Sequence, residues 1–130
     1  MMVITFRAFA WLAVLAILIL SLVPGEVRPS VLPGIYTEHF VAYAVAGSLL
    51  ASGYLNSRSM LIIGIILTIC AGALETAQLW IPGRLSRPTD FAVSALGAWI
   101  GLGLIWLLRW TYDRCALMAK QRIRPSSPSR

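Results

Sequence analysis

The chain has 130 residues, of which 58% are hydrophobic and 12% charged, against about half and about a quarter in an ordinary soluble domain. That balance excludes a conventional water-soluble enzyme, and the continuous apolar runs exclude a transmembrane barrel, whose strands alternate polar and apolar residues. The formal net charge of +6 would suggest nucleic acid in a soluble chain. Here Arg114, Lys120, Arg122, Arg124 and Arg130 all follow the last apolar run, with no aromatics among them to stack on bases. No nucleic-acid partner is expected. The tail fits the anionic cytoplasmic leaflet instead.

Spanning helices of about 20 residues use up about 80 residues when there are four of them, leaving turns and a tail but no second domain. The expected fold is therefore all-α: a polytopic membrane protein with a four-transmembrane-helix bundle over residues 1–112 and a basic, disordered tail over 113–130. The first apolar run, Ala8 to Val23, lacks an Ala-x-Ala cleavage site and reads as a retained span. Pro24, Gly25, Pro29, Pro33 and Gly34 then mark the longest loop. A second span from Glu38 to Leu55 turns at Asn56-Ser57-Arg58-Ser59 into a third, Met60 to Ile81, which Pro82-Gly83 stops. The fourth span runs from Phe91 to Tyr112, with Thr89 or Asp90 as its cap. Cys70 and Cys115 are too differently placed to form a disulfide, and no internal repeat is present.

Counting Lys and Arg puts eight with the N-terminus, second loop and tail, and three, Arg28, Arg84 and Arg87, in the first and third loops. Both termini are thus expected in the cytoplasm. The protein is expected in the cell membrane as a multi-pass protein, in the inner membrane where the source has two.

The few polar residues within or beside the spans fall at one end. His39 opens span two, Glu75 and Gln78 close span three, and Asp90 opens span four, so antiparallel connectivity places all of them on one side of the membrane. Glu75, six residues before Ile81, stands about 9 Å inside the span at about 1.5 Å per residue. An acid there needs a partner, a proton or a wet cavity. His39, Tyr43 and Gly47 recur every four residues on one helix face, as do Asp90, Ser94, Gly97 and Gly101 at four, three and four. Thr68, Ala71, Gly72, Glu75 and Gln78 form a matching stripe on span three. Gly47, Gly72, Gly97 and Gly101 are the expected sites of close helix packing. Arg84 and Arg87 stand beside this mouth, able to neutralise the carboxylates or to bind a phosphate.

Glu75-x-x-Gln78, Pro82-Gly83-Arg84, Asp90-Phe91 and Gly97 resemble the C-terminal signature of VanZ-like membrane proteins, and His39-Phe40-x-x-Tyr43 resembles that family's earlier motif. The resemblance covers Leu22 to Gly103, and its specificity lies in the ordered combination. Two positions depart from the pattern: Ile35 and Tyr36 stand where the family usually has Asp-Lys, and Ser94 where it has Asn. The resemblance implies a polytopic bundle in the cell membrane, with some relatives linked to resistance to teicoplanin-type glycopeptide antibiotics. It implies no reaction.

His39, Tyr43, Glu75, Gln78, Arg84 and Asp90 are the candidate ligand-binding residues. The first expectation is recognition of an anionic lipid-linked or cell-envelope precursor headgroup at the extracytoplasmic face. The second is an intramembrane enzyme, with His39 and Glu75 as acid and base and Arg84 holding the substrate's charge. The third is a structural partner that docks another membrane protein through its glycine stripes. Plainer roles stand beside these: Tyr43 as a packing residue or interface anchor, Gln78 as an interhelical hydrogen bonder, Asp90 as a cap, and Trp80, Trp106 and Trp110 as interface anchors. No cofactor is expected. No metal is expected either, because the spacing of His39, Glu75 and Asp90 matches no recognised ligand signature.

Overall fold

The computed structural model describes residues 2–27, 34–54, 56–84 and 86–123. Arg28, Pro29, Pro33, Leu55 and the end of the tail, 124–130, lie outside the described residues. Four α-helices are present among them: α1 Met2–Leu22, α2 Ile35–Gly53, α3 Ser57–Gln78 and α4 Pro88–Ile123. The chain is all-helical, and α1, α3 and α4 are long and apolar enough to cross a membrane. At about 1.5 Å per residue, α1 and α3 measure about 31 and 33 Å, close to the hydrocarbon thickness of about 30 Å.

Local sequence accounts for the ends. Asn56 caps α3, its side-chain oxygen accepting the Arg58 N–H at 3.2 Å. Helix α3 stops at Gln78, three residues short of Ile81, and residues 79–81 form tighter turns in which each N–H reaches back three residues. Ile81-Pro82-Gly83-Arg84 then makes a β-turn closed by the Arg84 N–H on the Ile81 carbonyl at 3.2 Å. Proline supplies the second position and Gly83, at φ 73°, the left-handed third one.

Helix α4 begins at Pro88, a favoured first helical residue because its missing N–H would be unpaired there anyway. Neither Thr89 nor Asp90 precedes the helix as its cap; both lie in the first turn. At the other end α4 continues to Ile123, so residues 113–123 are helical rather than disordered. A Pro- and Ser-rich end and few apolar residues to bury suggest disorder, but Ala116, Leu117, Met118, Ala119, Lys120 and Gln121 are strong helix formers uninterrupted by proline or glycine. Arg114 also lies over the Trp110 ring at 5.0 Å.

The packing is inside-out relative to a soluble domain. Ala10, Ala46, Ala51, Ala71 and Ala98 share the interior with Tyr43, Leu50, Met60, Leu67, Leu74 and Leu102, while many large apolar residues, among them Leu12, Leu15, Ile62, Ile66, Ile69, Leu104 and Leu108, face outward. Small residues at the helix seams and large apolar ones on the outer surface suit hydrocarbon surroundings, where close backbone approach takes over from the hydrophobic effect. Helix α2 runs parallel to α4 and packs on it most extensively. A Cβ added to Gly47 would stand 2.6 Å from the Ala98 carbonyl oxygen, and one on Gly97 or Gly101 would come closer still to the Phe40 or Ala44 carbonyl. The Ser48 hydroxyl donates to the Gly101 carbonyl across this seam. Gly72 instead meets the Phe91 ring in ordinary contact, and the tight approach on α3 is at Gly64, under the ring of Trp99.

The ends are tied as well. At the end holding the first residues of α1, the Arg7 Nε donates to the Gly53 carbonyl at 3.0 Å, and its guanidinium lies 4.6 Å from the Tyr54 ring centre. At the opposite end, Gly25 and Gly83 touch, bringing the first and third connections together. Near-contact of those two loops gathers the end of α1, the start of α2, the end of α3 and the start of α4 around one polar centre.

Candidate functional site

His39 lies in the second turn of α2, Glu75 in the last turn of α3 and Asp90 in the first turn of α4. All three are buried, with exposures of 9, 7 and 3%. One ring nitrogen of His39 and one carboxylate oxygen from each acid lie within 4.8 Å of one another. Because α3 ends at Gln78, Glu75 is three residues from its helix end, about 4.5 Å rather than the 9 Å reckoned from Ile81. Its burial comes from the residues that lead into α4. The Ser86 hydroxyl and the Arg87 backbone N–H both donate to Glu75 Oε2, at 3.0 and 3.1 Å.

His39 is held from α4. Its Nδ1 and the Ser94 hydroxyl are 3.4 Å apart, both residues buried, with the donor set by the tautomer. Ser94 lies one turn beyond Asp90 on the same face. Asp90 differs from its neighbours, since its Oδ1 is buried with no hydrogen-bond partner. Its carboxylate also faces the positive end of the α4 dipole, which favours negative charge there. Two carboxylate oxygens within 4.8 Å of each other are a costly pair to bury, because like charges repel more strongly where water is excluded. The Ser86 and Arg87 donors to Glu75 are uncharged, so a positive group between the two acids would stabilise the centre.

The remaining candidates divide between core and clasp. Tyr43, at 3% exposure, is a core residue packed with Ala10, Leu50, Leu67, Ala71 and Ala98, not an interface anchor. Gln78 Nε2 donates to the Ser21 carbonyl at 3.2 Å. Arg84 Nε donates to the Val23 carbonyl at 3.0 Å, and its Nη2 to that of Leu20. Together these side chains occupy carbonyls that the end of α1 would otherwise leave unmade, and the guanidinium complements the negative end of its dipole. Gln78 and Arg84 are thus a clasp on α1. Arg87 is an exposed cation at the mouth, its Nη1 donating to the Tyr36 hydroxyl at 3.4 Å.

Two side chains that the sequence did not single out as candidates belong to the site. Helical spacing places Ser94 with Asp90 on the polar stripe of α4, but nothing in it points to His39 as its partner. Ser86 sits in a connection without periodicity, and no signal in the sequence tied it to Glu75. Trp80, Trp106 and Trp110 are exposed, as interface anchors would be. Gly47, Gly97 and Gly101 are spent on packing inside the chain, whereas Gly103 of α4 faces open space. The chain matches no protein-family model, no curated protein and no solved structure.

Proposed function

We propose that this is a VanZ-like, four-span protein of the cell membrane, with both termini in the cytoplasm. On this reading it binds the headgroup of an anionic lipid-linked or cell-envelope precursor at its extracytoplasmic face. Membership of that family, and with it any link to glycopeptide resistance, rests on the ordered motifs from His39 to Gly97. Helix α2 is the fourth span: α1 and α3 run the same way, since their ends meet through Gln78 and Ser21, and a chain that crosses twice in one direction must return between. Its 19 residues extend about 28 Å, and α1 and α4 shield much of its surface from lipid.

The observation that carries the functional reading is the convergence of His39, Glu75 and Asp90 from three helices at one end of the molecule. Buried ionisable groups in a membrane protein mark functional sites by default, because each is costly to hold there. Arg87, exposed at the mouth, takes the headgroup-facing role first expected of Arg84. The test is mass spectrometry of the gently extracted protein with its bound lipids. Wild type should retain a specific anionic lipid class that Glu75→Gln and Arg87→Ala lose while remaining folded; identical lipid profiles in all three would defeat the reading.

A second reading, an intramembrane acid–base enzyme acting on such a headgroup, is supported by the imidazole lying within reach of two carboxylates. It predicts that Glu75→Gln keeps the headgroup but loses turnover. Nothing observed favours the docking of another membrane protein through the glycine stripes.

A further inference from the structure

His39, Glu75 and Asp90 each present one ligand atom, and the three atoms lie within 4.8 Å of one another. Proximity of acids alone would carry little weight. The added observation is Asp90, 3% exposed and with its Oδ1 unpartnered. A buried carboxylate oxygen without a donor loses its hydration for nothing, so such a group signals a missing partner. The surroundings point the same way. Ser94 holds the His39 ring through Nδ1, and Ser86 and the Arg87 N–H hold Glu75 through Oε2. Outer contacts of this kind fix the orientation of metal-ligating histidines and carboxylates.

We propose that His39, Glu75 and Asp90 bind a divalent transition-metal cation, of the class of Zn²⁺ or Mn²⁺. One imidazole nitrogen and two carboxylate oxygens suit those ions, whereas Ca²⁺ takes all-oxygen sites and copper(I) prefers thiolates or thioethers. Two negative charges and a dication sum to zero, which removes the repulsion between the acids and the cost of holding net charge beside the bilayer. Bonds of about 2.0–2.2 Å place tetrahedral ligands about 3.3–3.6 Å apart, so the three side chains close in by no more than about 1.5 Å. Three protein ligands leave a position open for a further donor. On the headgroup reading above, that donor is an anionic oxygen, and the cation explains how two carboxylates line a site for an anion. The sequence argued against a metal because its ligands come from three separate helices and share no local spacing.

The experiment uses the full chain in nanodiscs, loaded with Zn²⁺ or titrated with Co²⁺. One equivalent per chain is expected after desalting. Asp90→Asn should weaken Co²⁺ binding at least about 100-fold, and Ser94→Ala, which removes the partner of His39 Nδ1, about 10–100-fold. His39→Cys should keep the cation and add a thiolate-to-cobalt charge-transfer band, a gain that a merely structural histidine would not produce. Wild type that retains no metal, or equal affinity in wild type and a folded Asp90→Asn, would overturn the proposal. Bound lipid is scored on the same samples with and without chelator. Metal-free wild type that still loses lipid in Glu75→Gln overturns the cation and spares the headgroup reading; one bound metal with no selective lipid supports the cation and removes the headgroup.

Discussion

Replacing Gly47 with alanine sets two opposing effects against each other. In a helix interior alanine is favoured over glycine by about 1 kcal/mol. The added methyl, however, would stand 2.6 Å from the Ala98 carbonyl oxygen and 3.4 Å from that residue's carbonyl carbon and Cα. The obstacle is backbone, so no side chain can swing away, and α2 and α4 must part by most of an ångström. Overpacking of this kind costs about 1–3 kcal/mol. Gly103, on the same α4 helix, has nothing within 4 Å of an added Cβ, so Gly103→Ala receives the propensity gain without the clash. Gly47→Ala should therefore be less stable than Gly103→Ala by about 1–3 kcal/mol, the propensity term cancelling in the difference. Reversible unfolding in mixed micelles, followed by circular dichroism, measures it. Equal stability of the two variants would refute the backbone seam between α2 and α4.

Arg84→Ala should lower stability by about 1.5–3 kcal/mol through loss of its bonds to α1, with Arg84→Lys recovering part of it; unchanged unfolding would dismiss the clasp. Asn56→Ala removes the cap of α3 and should cost about 0.5–2 kcal/mol in the same assay. Cys115 is exposed and Cys70 half-buried within α3. In sealed cells an impermeant maleimide should leave Cys115 unlabelled, and in inverted vesicles it should label it; the opposite pattern would reverse the proposed orientation.

The clasp and the metal-ligand geometry share one structural cause. Helix ends carry unmade hydrogen-bonding groups, and at the polar end of this chain they belong to α1, α2, α3 and α4 at once. Side chains just past or just inside those ends supply the missing partners, as Arg84 and Gln78 do for the α1 carbonyls, and Ser86 does the same for the buried Glu75 carboxylate. Asp90 is the exception, with an oxygen that no neighbour satisfies.

Much of this was legible in the chain alone. Hydropathy marked the apolar helices, and short connections forced neighbouring helices antiparallel, which suffices to bring His39, Glu75 and Asp90 to one end. These are local properties, set by the solvent a segment prefers and by how far a turn reaches. Helical spacing likewise put Ser94 beside Asp90 and Gly97 above Gly101. What spacing cannot supply is the partner across the gap. That Gln78 and Arg84 turn toward α1, that Ser86 reaches Glu75, and that Gly97 and Gly101 are consumed by α2 depended on how each helix is rotated and which end lies opposite. Rotation and pairing are decided by contacts between residues far apart in sequence, where a few tenths of an ångström of backbone approach determine which carbonyl a side chain finds.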